Sequence, residues 1–366
     1  MDDLKIKVWG IFYLSKKQML IFEMFFFTLF ILLTVFLFSY QFPEHLDNEA
    51  FNFHAKYAKY ISLLCTFLIV FETQYLWAKF TQLQLKKIMQ QKEEIEKQNK
   101  KIELQNRDLR DSIKYAGKIQ SALLPSEAKL DRLLNHHFLY FKPRDIVSGD
   151  FYWVDEYDGK TIVAVADCTG HGVPGAFVSV LGISFLNDIV QRASINKIKI
   201  NPAMILDELR EKMAGALTKS ESEERTYDGM DISVCIIDKI QKVVEYSGAM
   251  HPLYFVRKTA DNINKLEQFR TDIQSISMLQ SAKHNYNSVN IDLNNGDMIY
   301  LLSDGYADQF GGKTGKKFLS KNLKLFLEKI AHETLEKQQI LLQEKINKWK
   351  GDRRQIDDIL ILGIRV

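Results

Sequence analysis

The chain has 366 residues, enough for one large domain with accessories and a sizeable core. Its 49 basic and 46 acidic residues leave a formal charge of +3, which points to neither a nucleic-acid binder nor a strongly anion-seeking surface. Three cysteines, Cys65, Cys168 and Cys235, at unrelated spacings exclude a disulfide framework and a CxxC zinc pattern, and the soluble part fits a reducing compartment.

From Met24 to Phe42 the chain is rich in phenylalanine and leucine and carries no charge, about the length a helix needs to cross a bilayer. A first span is therefore expected at about 20–42; no small-residue cleavage pattern follows at Phe38 to Pro43, which argues against a signal peptide. A second span is expected at 60–80, ending in the interfacial residues Tyr75, Trp77 and Lys79. The short loop between them holds Glu44, Asp47 and Glu49 with Lys56 and Lys59, whereas Lys5, Lys7, Lys16 and Lys17 precede the first span and Lys79, Lys86 and Lys87 follow the second. That lysine bias places both termini and everything after the second span in the cytoplasm, on a multi-pass protein of the cytoplasmic membrane. Glu23 and Glu72 lie toward the cytoplasmic ends, where a carboxylate either snorkels to the interface or marks a ligand or proton site.

Residues 1–80 thus read as a membrane anchor and 81–125 as a helical stalk and linker, polar and without glycine or proline as far as Ser112. Ile88, Ile95, Ile102, Leu109 and Ala116 recur every seven residues, and the positions four later are Lys92, Asn99, Asn106, Ile113 and Gln120. This is half of a coiled-coil seam, with the other half polar, and it predicts a marginal homodimer; a single solvated helix is the alternative. Pro125 ends the helix, and residues 126–366 form the catalytic candidate. Strands are expected at Phe151–Val154, Thr161–Ala166, Ile232–Ile237, Val243–Ser247, Leu253–Val256, Val289–Leu293, Met298–Leu302 and Ile359–Val366. Helices are expected at Pro174–Arg192, Ala203–Thr218 and Lys321–Trp349. Turns such as Asp158-Gly159 and Asn295-Gly296 make much of the sheet antiparallel, so the fold class is α+β.

Four aspartates sit just outside strand-like runs: Asp150, Asp167, Asp304, and Asp357 beside Asp358. One such aspartate is usually a turn or cap residue. Repetition changes the reading, because Gly149 and Gly305 adjoin two of them and Gly170 is close to a third, and glycine lets backbone approach an ion or phosphate. Hard oxygen ligands without a Cys/His cluster favour Mg²⁺ or Mn²⁺, and two such ions activate water for in-line attack on a phosphoryl group.

The segments Ile113-Lys114-Tyr115-Ala116, Ile119 to Pro125, Ser148-Gly149-Asp150-Phe151-Tyr152, Asp167 to Ala176, Asp228-Gly229-Met230-Asp231, Ser303-Asp304-Gly305 and Gln355 to Asp358 occur in one order. In this, the chain from about Ser112 to Val366 resembles the metal-dependent protein phosphatases of the phosphatase 2C superfamily, in the stage II sporulation protein E (SpoIIE) branch. The resemblance implies a four-layer α-β-β-α sandwich, a site for two Mn²⁺ or Mg²⁺ ions between the sheets, and hydrolysis of phosphoserine or phosphothreonine. It further implies a phosphoprotein substrate, of the kind represented by small anti-sigma-factor antagonists. Asp150, Asp167, Asp304 and Asp357 match the family's carboxylate ligands, and Cys168 matches a position that ligates through its backbone carbonyl. The eukaryotic general-acid histidine has no counterpart, since Thr169 stands at its place. His171 has two readings, packing of the Gly170–Gly172 turn or binding of phosphate or water. Arg144 is a candidate to orient phosphate or to form a surface salt bridge, and Asp231 to hold a third, weaker metal or simply to begin a strand.

Two rivals share the plan of spans, stalk and cytoplasmic domain. A sensor histidine kinase needs a phosphorylated histidine, and residues 81–135 contain none. A catalytically inactive scaffold need not keep its carboxylates, whereas all four positions here are filled.

Overall fold

The computed structural model describes residues 27–30, 48–217, 229–258, 265–277, 285–313 and 315–366. The first predicted span lies outside the described residues except for 27–30, which are helical. Helix α1 (Asn48–Leu123) is continuous over 76 residues. The sequence reading put a loop before Tyr60, but the chain is helical from Asn48, because nothing after Pro43 interrupts a helix. The chain divides within α1 into two compact units, Met1–Glu103 and Leu104–Val366. In the first unit the helix entered at Tyr60 has an 18-residue window apolar enough to cross a membrane and not buried in the protein. Leu63, Phe67 and Phe71 are exposed along it, as are the stalk residues Ile88, Ile95 and Ile102.

The second unit is built on two antiparallel sheets. One follows the order β2 (Phe151–Tyr157), β3 (Lys160–Cys168), β4 (Gly229–Asp238), β5 (Val243–Ala249) and β9 (Val289–Asp292), with the short β8 (Ile276–Ser277) paired to the start of β4. The other follows β1 (His137–Lys142), β13 (Ile359–Arg365), β10 (Met298–Leu302), β6 (Leu253–Arg257) and β7 (Lys265–Phe269). Val163, Val165, Cys235, Leu301, Leu360 and Leu362 meet between the sheets. On the outer face of the first sheet, Ala164, Ile232 and Val234 pack under α3 (Gly172–Asn196) and α4 (Pro202–Leu217). On the outer face of the second, Tyr300, Ile361 and Leu302 pack under α6 (Ser320–Ile330) and α7 (Leu335–Lys350). Three apolar layers separate four layers of backbone, the α-β-β-α order that the resemblance implied. Helix α3 is also long and apolar enough to cross a membrane, but half of that window is buried and it serves as a core helix.

The expected helix Lys321–Trp349 is two helices, α6 and α7. Thr334 starts the second: its side chain accepts from the Lys337 amide and supplies a cap that a continuous helix would not need. Three further elements come into view near the site. Helix α2 (Glu127–Leu134) follows α1, the one-turn α5 (Gly305–Asp308) follows β10, and β11 (Phe310–Gly311) pairs with β12 (Lys316–Lys317) in a hairpin.

Candidate metal centre

The carboxylates come two from each sheet. Asp150 immediately precedes β2 and Asp167 is the next-to-last residue of β3. Asp304 follows β10 after Ser303, and Asp357 lies two residues before β13. The antiparallel registers Phe151↔Ala166 and Leu302↔Ile361 bring each pair to one end of its sheet. Across the gap the groups act on one another. Asp150 is buried, and burial, then the Asp167 charge, push its carboxyl well above the ordinary range, against a hydrogen bond from Ser303. Burial, then Asp304, Asp357 and Asp231, raise Asp167 to about 8. Asp304 is raised to about 6 by burial, Asp308 and Asp357, and Asp357 is raised by burial against a hydrogen bond from the Asp358 amide.

This donor set fits divalent cations. The Oδ2 atom of Asp150 is buried without a hydrogen-bond partner, a condition that normally costs free energy and that a cation relieves. Among the described residues no three Asp, Glu, His or Cys side chains close into a ready coordination sphere. Mg²⁺ and Mn²⁺ retain waters and substrate oxygens in phosphoryl-transfer sites, so they do not require a full shell of protein ligands. Cys168 contributes no thiol chemistry: its side chain lies in the apolar layer under α3 and burial pushes its pKa far up. Its carbonyl oxygen instead faces Gly149, 3.2 Å from where a Cβ would stand. The Gly170 carbonyl is only 2.6 Å from that same point, so residue 149 must be glycine for the two loops to meet.

Around the rim, the Arg144 guanidinium donates to the Ile356 carbonyl (2.9 Å) and to Asp145 (3.2 Å), and His171 lies 3.6 Å from the same Asp145 carboxylate. Arg144 and, when protonated, His171 are close enough to Asp357 to favour its charged form. Asp231 pairs in register with Asp167 and accepts a short hydrogen bond from Ser275. Asp150, Asp167, Asp304 and Asp357 therefore share one space, Arg144 and His171 edge it, and Asp231 flanks it. Asp228 lies outside the described residues.

Residues 157–366, more than half of the chain, match the family model for stage II sporulation protein E. The chain belongs to the SpoIIE family. Its catalytic unit is that of a phosphatase 2C-type protein serine/threonine phosphatase. The SiaA-PP2C domain of Pseudomonas aeruginosa superposes with a TM-score of 0.62 at 29% identity, over 71% of this chain and 98% of that one. The phosphatase domain and regulatory fragment of SpoIIE from Bacillus subtilis aligns at 16% identity and a TM-score of 0.47, over 63% of this chain and 62% of that one. Among curated proteins, none matches.

Sequence reasoning assigns no site role to three buried polar residues of this SpoIIE-family chain, two of which hold the loop of Asp150. Asp358 holds the loop before β2, its Oδ1 accepting from the Arg144 amide (2.7 Å) and its Oδ2 from the Gly149 amide (2.8 Å). Gln120, expected on the polar half of the stalk seam, is instead buried against its own catalytic unit. Its amide donates to the Ser148 carbonyl (2.5 Å) and Ser179 Oγ (2.7 Å), and its oxygen accepts from the Ser148 amide (3.0 Å), two residues from Asp150. Gly117, one turn earlier, permits this approach: a Cβ there would stand 3.0 Å from the Ile146 carbonyl. His251 is fully enclosed between the sheets, with Nδ1 2.7 Å from Ser233 Oγ and Nε2 unpartnered; burial lowers its pKa to about 4, so it is neutral at physiological pH. The sequence signals are the Asp357-Asp358 doublet for Asp358 and the Ile119 to Pro125 segment for Gln120, with none for His251. Gln120 and His251 acquire their surroundings from residues 28 and 18 positions away.

The raised carboxylates predict a pH-dependent stability. Asp167, with an unfolded value near 3.8 and a folded value of about 8, keeps its proton in the folded chain where the unfolded chain has lost it. Stability of the metal-free protein therefore falls as pH rises between those values, and cation binding at high pH opposes the loss. In EDTA, the melting temperature followed by tryptophan fluorescence should drop on the order of 5 °C from about pH 5 to about pH 8, with Mn²⁺ restoring most of it at the upper pH. A flat profile that Mn²⁺ does not move would refute the shared-site assignment. Gln120→Ala, which strips two hydrogen bonds from the loop carrying Asp150 and a third from Ser179 of α3, should raise the Mn²⁺ concentration for half-maximal activity about tenfold while saturating Mn²⁺ restores turnover.

Proposed function

We propose that this chain is a membrane-anchored, Mn²⁺- or Mg²⁺-dependent phosphatase that removes phosphate from phosphoserine or phosphothreonine on a folded bacterial regulatory protein, of the kind represented by small anti-sigma-factor antagonists. The observation that carries the reading is the convergence of four carboxylates with an unpartnered buried oxygen on Asp150. Asp150, Asp167, Asp304 and Asp357, with the Cys168 carbonyl, are the groups that would hold two ions. Bound ions supply neutralisation of phosphoryl charge and a lowered pKa of water. The protein's part is positional. Arg144, fixed at both Nε and Nη1, presents a planar head at the rim and orients the phosphate there. His171 stands where phosphate or water enters, and Asp231, steadied by Ser275, is the group for a third, weaker ion. A histidine kinase reading is not supported, since the stalk carries no histidine between 81 and 135.

The apolar helix entered at Tyr60 supports anchoring in the cytoplasmic membrane, with the catalytic unit on the lysine-rich cytoplasmic side. The exposed stripe of Ile88, Ile95, Ile102 and Leu109 supports a homodimer through the stalk. Gln120 offers that helix a handle on the loop of Asp150. A modest shift of its last turns then biases the site, because a two-state element needs only a few kcal/mol between its arrangements.

Asp167→Asn or Asp304→Asn should lower Mn²⁺-dependent turnover of p-nitrophenyl phosphate by at least about a hundredfold, about 2.7 kcal/mol of barrier, with circular dichroism unchanged. Folded variants with near-normal turnover would remove the metal assignment. Ile95→Asn combined with Ile102→Asn should shift the full chain toward monomer in sedimentation and change its activity by at least about threefold. A chain that is monomeric throughout and indifferent to both changes would leave the stalk a passive tether.

A further inference from the structure

We propose that the β11–β12 hairpin and the turn at Gly351–Arg354 form a basic docking surface that captures an acidic segment of the phosphoprotein beside the phosphorylated residue. The inference rests on the phosphatase reading and adds a substrate preference to it.

The two segments grow directly out of the site. The hairpin follows Asp304 after the single turn of α5, and the Gly351–Arg354 turn ends three residues before Asp357. They are locked together. The Gly312 amide donates to the Trp349 carbonyl (2.8 Å), Trp349 Nε1 to the Gln309 carbonyl (3.0 Å), and Arg353 Nη1 to the Gly312 carbonyl (3.3 Å). The fully buried Gln309 completes the clamp, its Nε2 donating to the Arg354 carbonyl (3.1 Å) and its Oε1 accepting from the Ile356 amide (3.3 Å). The result is a fixed ledge rather than a loose tail.

Its charge is one-sided. Residues 308–317 and 351–354 carry Lys313, Lys316, Lys317, Arg353 and Arg354 against Asp308 and Asp352, a local excess that the near-balanced composition of the whole chain conceals. All five basic residues are exposed. Lys317 is paired with Asp308 at 2.5 Å, whereas among the described residues no carboxylate pairs with Lys313, Lys316, Arg353 or Arg354. Lys317 also feels the charges of Asp304 and Asp357, which places the ledge within electrostatic reach of the metal centre. Among the described residues the other basic side chains of the rim are engaged, Arg144 by Asp145 and the Ile356 carbonyl and His171 by Asp145. The uncompensated positive field at the mouth therefore comes from this ledge. Exposed charges add little to stability, but a one-sign cluster beside a cleft steers and orients a partner of opposite sign. A lipid surface is the poorer occupant, because a bilayer seated on the ledge would cover the mouth that a folded phosphoprotein must enter.

The test uses the full chain in phosphatidylcholine nanodiscs with Mn²⁺ and three phosphoserine peptides, flanked by glutamate, glutamine or lysine. The wild type should favour the glutamate-flanked peptide over the glutamine-flanked one about tenfold in kcat/KM, mainly through KM, and the preference should shrink as NaCl rises to about 0.3 M. Lys313→Glu/Lys316→Glu/Arg354→Glu should reverse the order so that the lysine-flanked peptide is best, and the corresponding triple glutamine variant should abolish the preference. Both should hydrolyse p-nitrophenyl phosphate within about twofold of the wild type, which also certifies that they fold. A wild type without preference, or a reversed variant that still prefers glutamate, overturns the docking surface. So does a reversal felt only in discs containing phosphatidylserine, which would assign the ledge to lipid. A wild type that fails to hydrolyse p-nitrophenyl phosphate overturns the phosphatase reading instead.

Discussion

Holding four carboxylates of like charge in one partly buried space is the constraint on which the rest of this structure depends. Each group is desolvated and each repels its neighbours, so without cations the arrangement is costly. A single loop would relieve the strain by opening. The sandwich prevents this by taking two carboxylates from each sheet and fixing the sheets against one another through an apolar interior that includes Val163, Val165, Leu301 and Leu362. The outer helices complete the restraint by covering the remaining sheet faces. The convergence of the four carboxylates is thus maintained by apolar packing remote from the carboxylates themselves.

Local devices set the finer positions. Asp358 spends both of its oxygens on backbone amides of the loop that leads to Asp150, which ties that loop to the start of β13. Gln120 ties the same loop to the end of α1 from the other side. The Gly149–Gly170 contact removes the remaining freedom, since any side chain at 149 would separate the two turns. The loop that leads to Asp150 is consequently held by three segments that are distant in sequence.

Much of this architecture could be read from sequence because the central strands are buried on both faces. The runs in β3, β4, β10 and β13 are largely apolar stretches bounded by polar turns, and each lies within three residues of its expected place. Strand β1 escaped because His137 and Lys142 flank a short aromatic core that carries no turn signal of its own. The α6–α7 break escaped because apolar spacing runs through it, while the Thr334 cap that decides it is a single side chain. The recurring aspartates at strand ends could be seen as a set, since their spacing against strands and glycines is local. Gln120 could not, because a glutamine at a polar seam position looks the same whether it faces solvent or Ser148.

Strand β13 lies between β1 and β10, joined to both along its length, although it is the last strand of its sheet in chain order. During synthesis, β1 and β10 leave the ribosome with no partner for the edges they will later share. Only when β13 slots in does the sheet become continuous, and the same insertion delivers Asp357 and Asp358. Such a late, non-local pairing is slow relative to hairpin formation. Nascent chains therefore pass through an interval in which α1 is already made while the carboxylate cluster still lacks Asp357 and the loop of Asp150 still lacks Asp358. A chain interrupted before β13 thus lacks at once the strand that joins β1 to β10 and the acidic pair that it carries to the carboxylate cluster.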